Sequence, residues 1–368
     1  MGLLGLSGCG SPSSASVEMS SQTELVKTGS MELQYAENFA VDYYEDGYKM
    51  LTTLPDSQRY LLVPEGQPVP QGLDEDVSIL QEPLQNIYLV ASGVMDMFAS
   101  VDAVEQIRFS GQKQENWYIQ TAKDAMAAGD MIYAGKYSKP DYELLVSEGC
   151  DLAIENRMIT HSPEVVEMLQ SFDIPVMIEY SSYEQHPLGK VEWVKFFGAL
   201  TGREAEAEEA FAEQTEILEE VESGEKTGKT IAFFYVTSNG LIQVRQSTDY
   251  IPKLIELAGG RYIFENLEDS GSGRSTLNMQ VEDFYAGAKD ADILIYNSSI
   301  DGGVTTVDEL IGKCNILKDF KAVQEGQVYC TTNDMYQQSM AIGYLLQDMH
   351  TVLTDDDTAK LRYLFLLQ

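Results

Sequence analysis

The chain contains few residues that could build a metal centre or a disulfide scaffold. It has 4 Cys and 3 His among 368 residues. Three cysteines remain after Cys9, an odd number without CxxC spacing, which argues against a disulfide framework. The histidines lie far apart in the sequence, which argues against a His-built metal site. We therefore expect no metal site in the protein itself.

Positive charge is also scarce. The chain has 24 Lys and Arg against 59 Asp and Glu, a formal net charge of -35. Nucleic-acid binding requires a concentrated basic surface, and no basic stripe is present, so nucleic acid is excluded as a partner. The acidity is typical of a solvated surface that keeps a protein soluble and monomeric. Attraction of cationic ligands is the alternative.

No apolar run reaches the length of about 18 residues that a membrane-spanning helix requires. The N-terminus carries a different membrane signal, because LSGC at residues 6–9 matches the bacterial lipobox. In that motif a peptidase cuts before a Cys that then receives lipid, and small residues suit the cleavage site. A polar, Ser-rich stretch follows, typical of a flexible linker. We expect a residual signal peptide at 1–8, lipidation at Cys9 and a tether over 9–33.

One design occurs twice, once in each half of the chain. A short amphipathic helix with an acidic residue near its start is followed by Asp and a buried strand, in YELLVSEGCDLAIEN (142–156) and VEDFYAGAKDADILIYN (281–297). Helical spacing followed by a continuous apolar run predicts a helix that leads into a parallel strand. Between the copies, residues 203–223 predict a helix of about 20 residues, which would reach roughly 30 Å and connect two domains.

The predicted fold class is α/β, with two α/β lobes joined by a single long helix and a ligand cleft between the lobes. We expect an N-terminal lobe over 34–202, the connecting helix at 203–223 and a C-terminal lobe over 224–368. Residues 39–54 and 58–66 predict β-strands that form an antiparallel edge of the first lobe.

Polar and aromatic residues follow the buried strands, at the edge where open α/β sheets bind ligands. The candidate ligand-binding residues are Asn156, Arg157, Tyr180 and Tyr183 in the first half, and Tyr235, Arg245, Asn297 and Tyr336 in the second. The tyrosines would form aromatic walls, and ordinary packing is the alternative for each. Arg157 and Arg245 are the sharper candidates, because an arginine beside a buried strand needs an anionic partner. That partner is either a ligand or one of the chain's many carboxylates.

These features together resemble the substrate-binding lipoproteins of ABC importers for iron-siderophores, haem and cobalamin. The resemblance rests on the lipobox, the paired lobes, YEQHPLGKVEW (183–193) before the 203–223 helix, and YIPKLIELAGG (250–260). It covers nearly the whole chain after the tether. It implies two lobes joined by one rigid helix, a ligand held between them with modest closure, and lipid anchoring at the outer face of the cell membrane. The implied partners are an ABC permease, its ATPase and a metal-chelate ligand.

The resemblance also implies one surface glutamate in each lobe that docks onto permease arginines. By motif these are Glu143 and Glu282, the acidic residues that open the helices of the duplicated unit. Glu143 precedes Asp151 by eight residues, whereas Glu282 precedes Asp292 by ten, so Asp283 is a rival for the second position. The alternative role for both glutamates is stabilisation of a helix N-terminus through its dipole.

The expected function is that of a monomeric binding protein, not an enzyme, which captures an iron-siderophore-type chelate and delivers it to an ABC permease. Arg157 and Arg245 would neutralise chelate or propionate oxygens. No resident cofactor is expected, since the ferric chelate, haem or corrinoid would be the bound ligand. Haem or cobalamin is the alternative ligand, and haem would need an axial Tyr because histidines are few. A sensory or adhesive surface lipoprotein is a further alternative. A surface enzyme would require a catalytic set, and no nucleophile, base and orienting group occur together.

Overall fold

The first five strands form a sheet of their own. The computed structural model describes residues 25–267, 275–298, 303–355 and 358–368. The strands are β1 (Lys27–Ser30), β2 (Phe39–Tyr44), β3 (Lys49–Thr53), β4 (Gln58–Val63) and β5 (Val77–Gln81). β1 to β4 pair antiparallel in chain order, and β5 runs parallel to β4.

Two expectations for this region need correction. The antiparallel strands are present, but within the described residues they pair only with one another and do not extend the parallel sheet of the lobe. Strand β1 lies inside the range predicted as a flexible tether. It is ordered because it forms a ladder with β2 and because Lys27 and Ser30 both bind the Asp42 carboxylate, each at 2.7 Å.

The second sheet is wholly parallel and alternates with helices. Its region contains β6 (Ile87–Leu89), α1 (Val94–Ser100), β7 (Ile107–Ser110), α2 (Gln120–Ala128), β8 (Ile132–Tyr133), β9 (Gly135–Lys136), β10 (Lys139–Pro140), α3 (Tyr142–Ser147), β11 (Leu152–Asn156), α4 (Pro163–Ser171) and β12 (Val176–Glu179). The strand order is β12-β11-β6-β7-β8, while β9 and β10 form a separate antiparallel ribbon. Along the chain, β7 and β8 are added on one side of β6, and β11 and β12 on the other side. The order of strand addition therefore reverses between β6 and β11. In a doubly wound sheet this is where a crevice opens beyond the carboxyl ends of the strands.

Two helices connect this sheet to the next one. Helix α5 (Pro187–Thr201) is buried around its whole circumference, and α6 (Glu204–Glu222) lies within the predicted 203–223 range. Gly202, with φ of 71°, ends α5 in the left-handed conformation that glycine adopts without strain. A helix that is buried on every side forms the centre of a core. Helix α5 packs against β2, β3, α1, α6 and the helix α7 defined next.

The third sheet belongs to the second half of the chain. Its region contains β13 (Thr230–Val236), β14 (Ile242–Arg245), α7 (Tyr250–Leu257), β15 (Arg261–Tyr262), β16 (Thr276–Met279), α8 (Val281–Ala288), β17 (Ile293–Tyr296), α9 (Val307–Lys313), α10 (Lys321–Gln324), β18 (Val328–Thr331), α11 (Ile342–Thr354) and β19 (Leu364–Leu366). The order is β16-β14-β13-β17-β18-β19, with β15 beside β13. Strands β13, β17 and β18 are parallel, and β14 and β19 run antiparallel to their central neighbours.

The aspartate of the duplicated unit has the same role in both copies. Asp151 Oδ2 accepts the N–H groups of Gln85 and Asn86, both at 2.9 Å, immediately before β6. Asp292 Oδ2 accepts the N–H of Thr230 at 2.7 Å, where β13 begins. Each aspartate therefore satisfies backbone donors at the amino end of the neighbouring parallel strand. The helix-to-strand unit is confirmed in both copies, as α3 with β11 and α8 with β17.

The predicted fold class is confirmed: the structure has an N-terminal lobe with the first two sheets and a C-terminal lobe with the third. Among the described helices, none combines the length and the apolar character needed to cross a bilayer.

Candidate functional site

A cavity of about 240 Å³ lies between the two lobes. From the N-terminal lobe it is lined by residues 91–93 after β6, residues 156–158 at the end of β11, and residues at the end of β12 and on α5. From the C-terminal lobe it is lined by Tyr336 and Ser339, in the segment between β18 and α11. The cavity therefore occupies the crevice where the strand order of the second sheet reverses. Since drug-sized ligands need roughly 300 to 1,000 Å³, it fits a small ligand or one part of a larger one.

One wall of the cavity is a cation on an aromatic ring. Strand β11 ends at Asn156, whose Oδ1 accepts the N–H of Met158 at 2.8 Å and so starts the following 3-10 turn. The guanidinium carbon of Arg157, in that turn, lies 4.6 Å from the ring centroid of Tyr183. Tyr183 is 40% exposed. The predicted residues Asn156, Arg157 and Tyr183 thus meet at the cavity.

The opposite wall is Tyr336, held by two other predicted residues. Its hydroxyl accepts hydrogen bonds from Arg245 Nη2 and, at 2.8 Å, from Asn297 Nδ2. Arg245 is 8% exposed and also pairs with Asp249 at 3.4 Å. Tyr336 is therefore the member of this group that lines the cavity, while Arg245 and Asn297 fix its orientation from behind.

Four of the eight predicted ligand-binding residues do not line this cavity: Tyr180, Tyr235, Arg245 and Asn297. Tyr180 is buried and donates its hydroxyl to Asp56 Oδ2 at 3.2 Å, because the turn between β3 and β4 lies against the end of β12. Tyr235 lies beside Tyr296, with ring centroids 6.1 Å apart. The Arg245 guanidinium pairs with Asp249, a carboxylate of the kind considered as its structural partner.

Three carboxylates lie near Lys190: Glu179 lines the cavity, whereas Asp96 and Asp249 do not. Asp96 accepts the N–H of Met340 at 2.7 Å across the lobe boundary, and Glu179 accepts hydrogen bonds from its own turn. Burial raises the pKa of Asp96 to about 6, and it also raises the pKa values of Glu179 and Asp249. The nearby positive charge of Lys190 acts in the opposite direction on all three.

Lys190 and Ser339 are among the cavity residues that the sequence did not predict. Lys190, on α5, is 4% exposed, and Ser339 is 1% exposed; both line the cavity. A signal for Lys190 was available, because Lys190, Glu192 and Lys195 interrupt an otherwise apolar helix. A charge on such a helix requires a specific partner. Ser339 follows no strand directly and carries no comparable signal.

The candidate docking glutamates occupy equivalent positions. Glu143 and Glu282 are each the second residue of their helix, and both are exposed. Their spacing to the following aspartate differs because α3 has 6 residues and α8 has 8, so helix position favours Glu282 over Asp283. Helices that lead into parallel strands run antiparallel to them. Both glutamates therefore lie at the carboxyl edges of their sheets.

Within the described part of the chain, no group of three or more His, Cys, Asp or Glu side chains is placed to hold a metal ion. Cys150, Cys314 and Cys330 are free thiols. Cys9, the predicted lipidation site, lies outside the described residues.

Two lobes with a cavity between them, lined from both sides, define a ligand-binding protein of the two-lobed class. Residues 98–335 match the periplasmic binding protein family, and the chain belongs to that family of substrate-binding proteins. The family predicted from the sequence is confirmed.

Relatives and solved structures agree with this assignment. An uncharacterized lipoprotein of Methanocaldococcus jannaschii is 25% identical over 354 residues, covering 87% of this chain and 81% of the relative. A possible iron-binding periplasmic solute-binding protein of Staphylococcus epidermidis has a TM-score of 0.57 at 17% identity, covering 73% of this chain and 98% of its own. A periplasmic haem-binding protein of Vibrio cholerae has a TM-score of 0.58 at 14% identity, with the same coverage. At these identities the structures show the shared fold.

Proposed function

We propose that the chain is the substrate-binding subunit of an ABC importer, and that it captures an iron-siderophore-type chelate for delivery to the permease. The observation that carries this proposal is the cavity between the lobes, with Arg157 on Tyr183 at one wall and Tyr336 at the other. Cationic and aromatic groups suit an oxygen-rich anionic chelate with apolar faces. The names of the structural neighbours, iron-binding and haem-binding, support the same ligand class.

The proposal includes lipid anchoring at the outer face of the membrane through Cys9. It is supported by the LSGC motif at residues 6–9 and by the lipoprotein name of the archaeal relative. Growth of expressing cells with an alkyne fatty acid should label the wild-type chain and leave Cys9→Ala unlabelled. Equal labelling of both chains would contradict the anchoring site.

The ligand class can be tested directly on the purified protein. Ferric siderophores, haem and cobalamin are added separately, and visible spectra and melting temperature are recorded for each. We expect a spectral change and a rise in melting temperature with a ferric siderophore. The absence of any change with all three kinds of ligand would contradict the proposed ligand class of metal chelates.

Haem is the second candidate, because two tyrosines line the cavity and one of them could provide an axial oxygen ligand. If haem binds, Tyr183→Phe or Tyr336→Phe should change its Soret band, whereas Tyr180→Phe, outside the cavity, should not. Haem spectra that are unaffected by both cavity substitutions would exclude tyrosine ligation in this cavity.

A further inference from the structure

Helix α5 contains two buried lysines with different surroundings. Lys195 Nζ pairs with Glu208 at 2.9 Å and with Glu192 at 3.6 Å. Lys190 Nζ lies 4.8 Å from the ring centroid of Tyr250, and it makes no hydrogen bond or ion pair with any described residue. Burial of an ammonium group is costly unless an acceptor is supplied. Lys190 lines the cavity of about 240 Å³ and also a much smaller one of about 10 Å³ beside Tyr250, so an occupant of the larger cavity is placed to supply that acceptor.

Protein carboxylates near Lys190 are already engaged with other donors. Asp96 accepts a hydrogen bond from the Met340 N–H, Glu179 binds its own turn, and Asp249 pairs with Arg245. They balance the charge of Lys190 from a distance, but none lies within 4 Å of its ammonium group.

A second unpartnered group reaches the same cavity from the other lobe. The Ser339 hydroxyl is buried and has no hydrogen-bond partner within the described residues. Gly93 leaves the space beside it open, because a Cβ at that position would come within 2.9 Å of Ser339 Oγ. The cavity therefore has an ammonium group from the N-terminal lobe and a hydroxyl group from the C-terminal lobe, both able to donate.

We propose that Lys190 and Ser339 form an oxyanion subsite that holds a negatively charged oxygen of the ligand between the two lobes. Ammonium-to-carboxylate hydrogen bonds are among the strong polar contacts in proteins. The inference rests on the proposed function and narrows it to chelates that present a free carboxylate or a similar anionic oxygen.

The test compares two ferric chelates of different charge by calorimetry on the full chain. Ferric citrate presents carboxylates, and ferrichrome is an uncharged hydroxamate chelate. Wild type should bind ferric citrate more tightly than ferrichrome. Lys190→Met should weaken ferric citrate binding by about 10-fold or more and Ser339→Ala by about 3-fold, as expected for lost charge-assisted and neutral contacts. Lys190→Arg should restore part of the affinity.

The matched control is Lys195→Met, which removes the other buried lysine of the same helix. It should lower the melting temperature, because Glu192 and Glu208 lose their partner, and leave ferric citrate affinity unchanged. If Lys190→Met does not fold, Ser339→Ala and Lys190→Arg still report on the subsite.

Failure of the subsite proposal and failure of the proposed function give different results in this test. Ferric citrate affinity that is unchanged in Lys190→Met and Ser339→Ala, or a wild type that binds only ferrichrome, overturns the subsite and leaves the importer proposal intact. If no ferric chelate binds, the importer ligand class fails, and iron-free citrate then decides the subsite. A rise in melting temperature with citrate that disappears in the Lys190 and Ser339 variants supports it, and no rise overturns it.

Discussion

Glu155 is a buried carboxyl group whose oxygens both lack a hydrogen-bond partner within the described residues. It lies on β11, beside Tyr88 and immediately before the cavity residues Asn156 and Arg157. Burial raises the pKa of Glu155 from 4.5 to about 8. The folded state therefore holds this proton more tightly than the unfolded state does. Its contribution to stability is fully present below about pH 4.5 and is lost progressively as the pH rises to about 8.

Glu155→Gln should remove this pH dependence. We expect the variant to match wild type near pH 4.5 and to be more stable at pH 9, by a few kcal/mol at most, since one pKa unit corresponds to about 1.4 kcal/mol. Urea denaturation at both pH values measures the difference. Glu164→Gln, an exposed control, should change little at either pH. A stability gain of the same size at both pH values would show that Glu155 is not protonated by burial.

At the residue scale, local sequence predicts a position best where the position follows directly from a strand end. Asn156 and Arg157 end a buried strand and line the cavity, and their contact with a ligand stays a prediction. Tyr180 and Tyr183 were equivalent in the sequence, but only Tyr183 reaches the cavity. The difference comes from Asp56, more than 120 residues away in the chain, which binds Tyr180. Such contacts depend on how separate sheets pack against each other, and local sequence patterns do not predict that packing.

At the scale of elements, α5 holds the segment that leads into β2. The Glu192 carboxylate is fully buried and accepts the N–H groups of Gln34, Tyr35 and Ala36 at 2.8 to 3.1 Å. Glu184, just before the same helix, accepts the N–H of Glu37 at 2.9 Å. The two carboxylates thus satisfy consecutive backbone donors of one segment, which fixes the first sheet onto the central helix.

Glu192→Ala should release this segment. Three N–H groups would lose their acceptor, of which the Ala36 N–H is buried. Lys195 would also lose one of its two partners, so we expect a loss of about 2 to 4 kcal/mol. Hydrogen exchange should accelerate most at residues 34–36 and in β2. Glu208→Ala, which removes the other, exposed partner of Lys195, should cost less and leave exchange at 34–36 unchanged. Uniform acceleration of hydrogen exchange across all three sheets would contradict the inference that Glu192 holds residues 34–36 locally.

The helices α3 and α8 carry the candidate docking carboxylates. Exposed charge pairs contribute only about 0.2 to 1 kcal/mol each, which suits transient docking that charges steer and orient. Asp141 already caps α3 by accepting the N–H of Leu144 at 3.1 Å. Helix stabilisation therefore depends less on Glu143 than the dipole alternative requires.

Charge reversal distinguishes the two roles. Glu143→Lys and Glu282→Lys should abolish uptake by cells that carry the chain and its permease, while ligand affinity and melting temperature hold. The control Glu164→Lys reverses another exposed acid in the first turn of a helix, and uptake should persist. If uptake persists in the Glu143 and Glu282 variants while their melting temperature falls, the glutamates stabilise their helices instead.

Element-scale patterns were the most predictable part of the fold. The two helix-to-strand units and α6 follow from apolar periodicity. Asp249 is the N-cap of α7, and Gly259, just after its end, has a positive φ. The separate first sheet was not predictable, because its strands have the same alternation that an edge of the parallel sheet would have. The choice depends on α5, which is buried on all sides and packs against β2 and β3 of the first sheet.

At the scale of the whole molecule, the segment between β18 and α11 joins the lobes. The Gln337 side chain accepts the N–H of Tyr118 and donates to the carbonyl of Asn116, both at 2.8 Å. One side chain thus satisfies a backbone donor and a backbone acceptor of the opposite lobe. The Asp96 contact with Met340 lies a few residues further on. Tyr336, at the cavity wall, is adjacent in the chain to Gln337. Contact with a ligand and contact between the lobes are therefore made by neighbouring residues of one short segment.

Gln337→Ala should loosen the lobes, because it removes both side-chain bonds to the 116–118 backbone. We expect a larger radius of gyration by small-angle scattering and weaker ligand binding, since an open cleft separates the two cavity walls. Gln338→Ala is the matched control: its amide bonds to Asp334 and Tyr363 stay within the C-terminal lobe. The control should lower the melting temperature without changing the radius of gyration. Equal expansion of both variants, or of neither, would mean that α5 and α6 alone set the distance between the lobes.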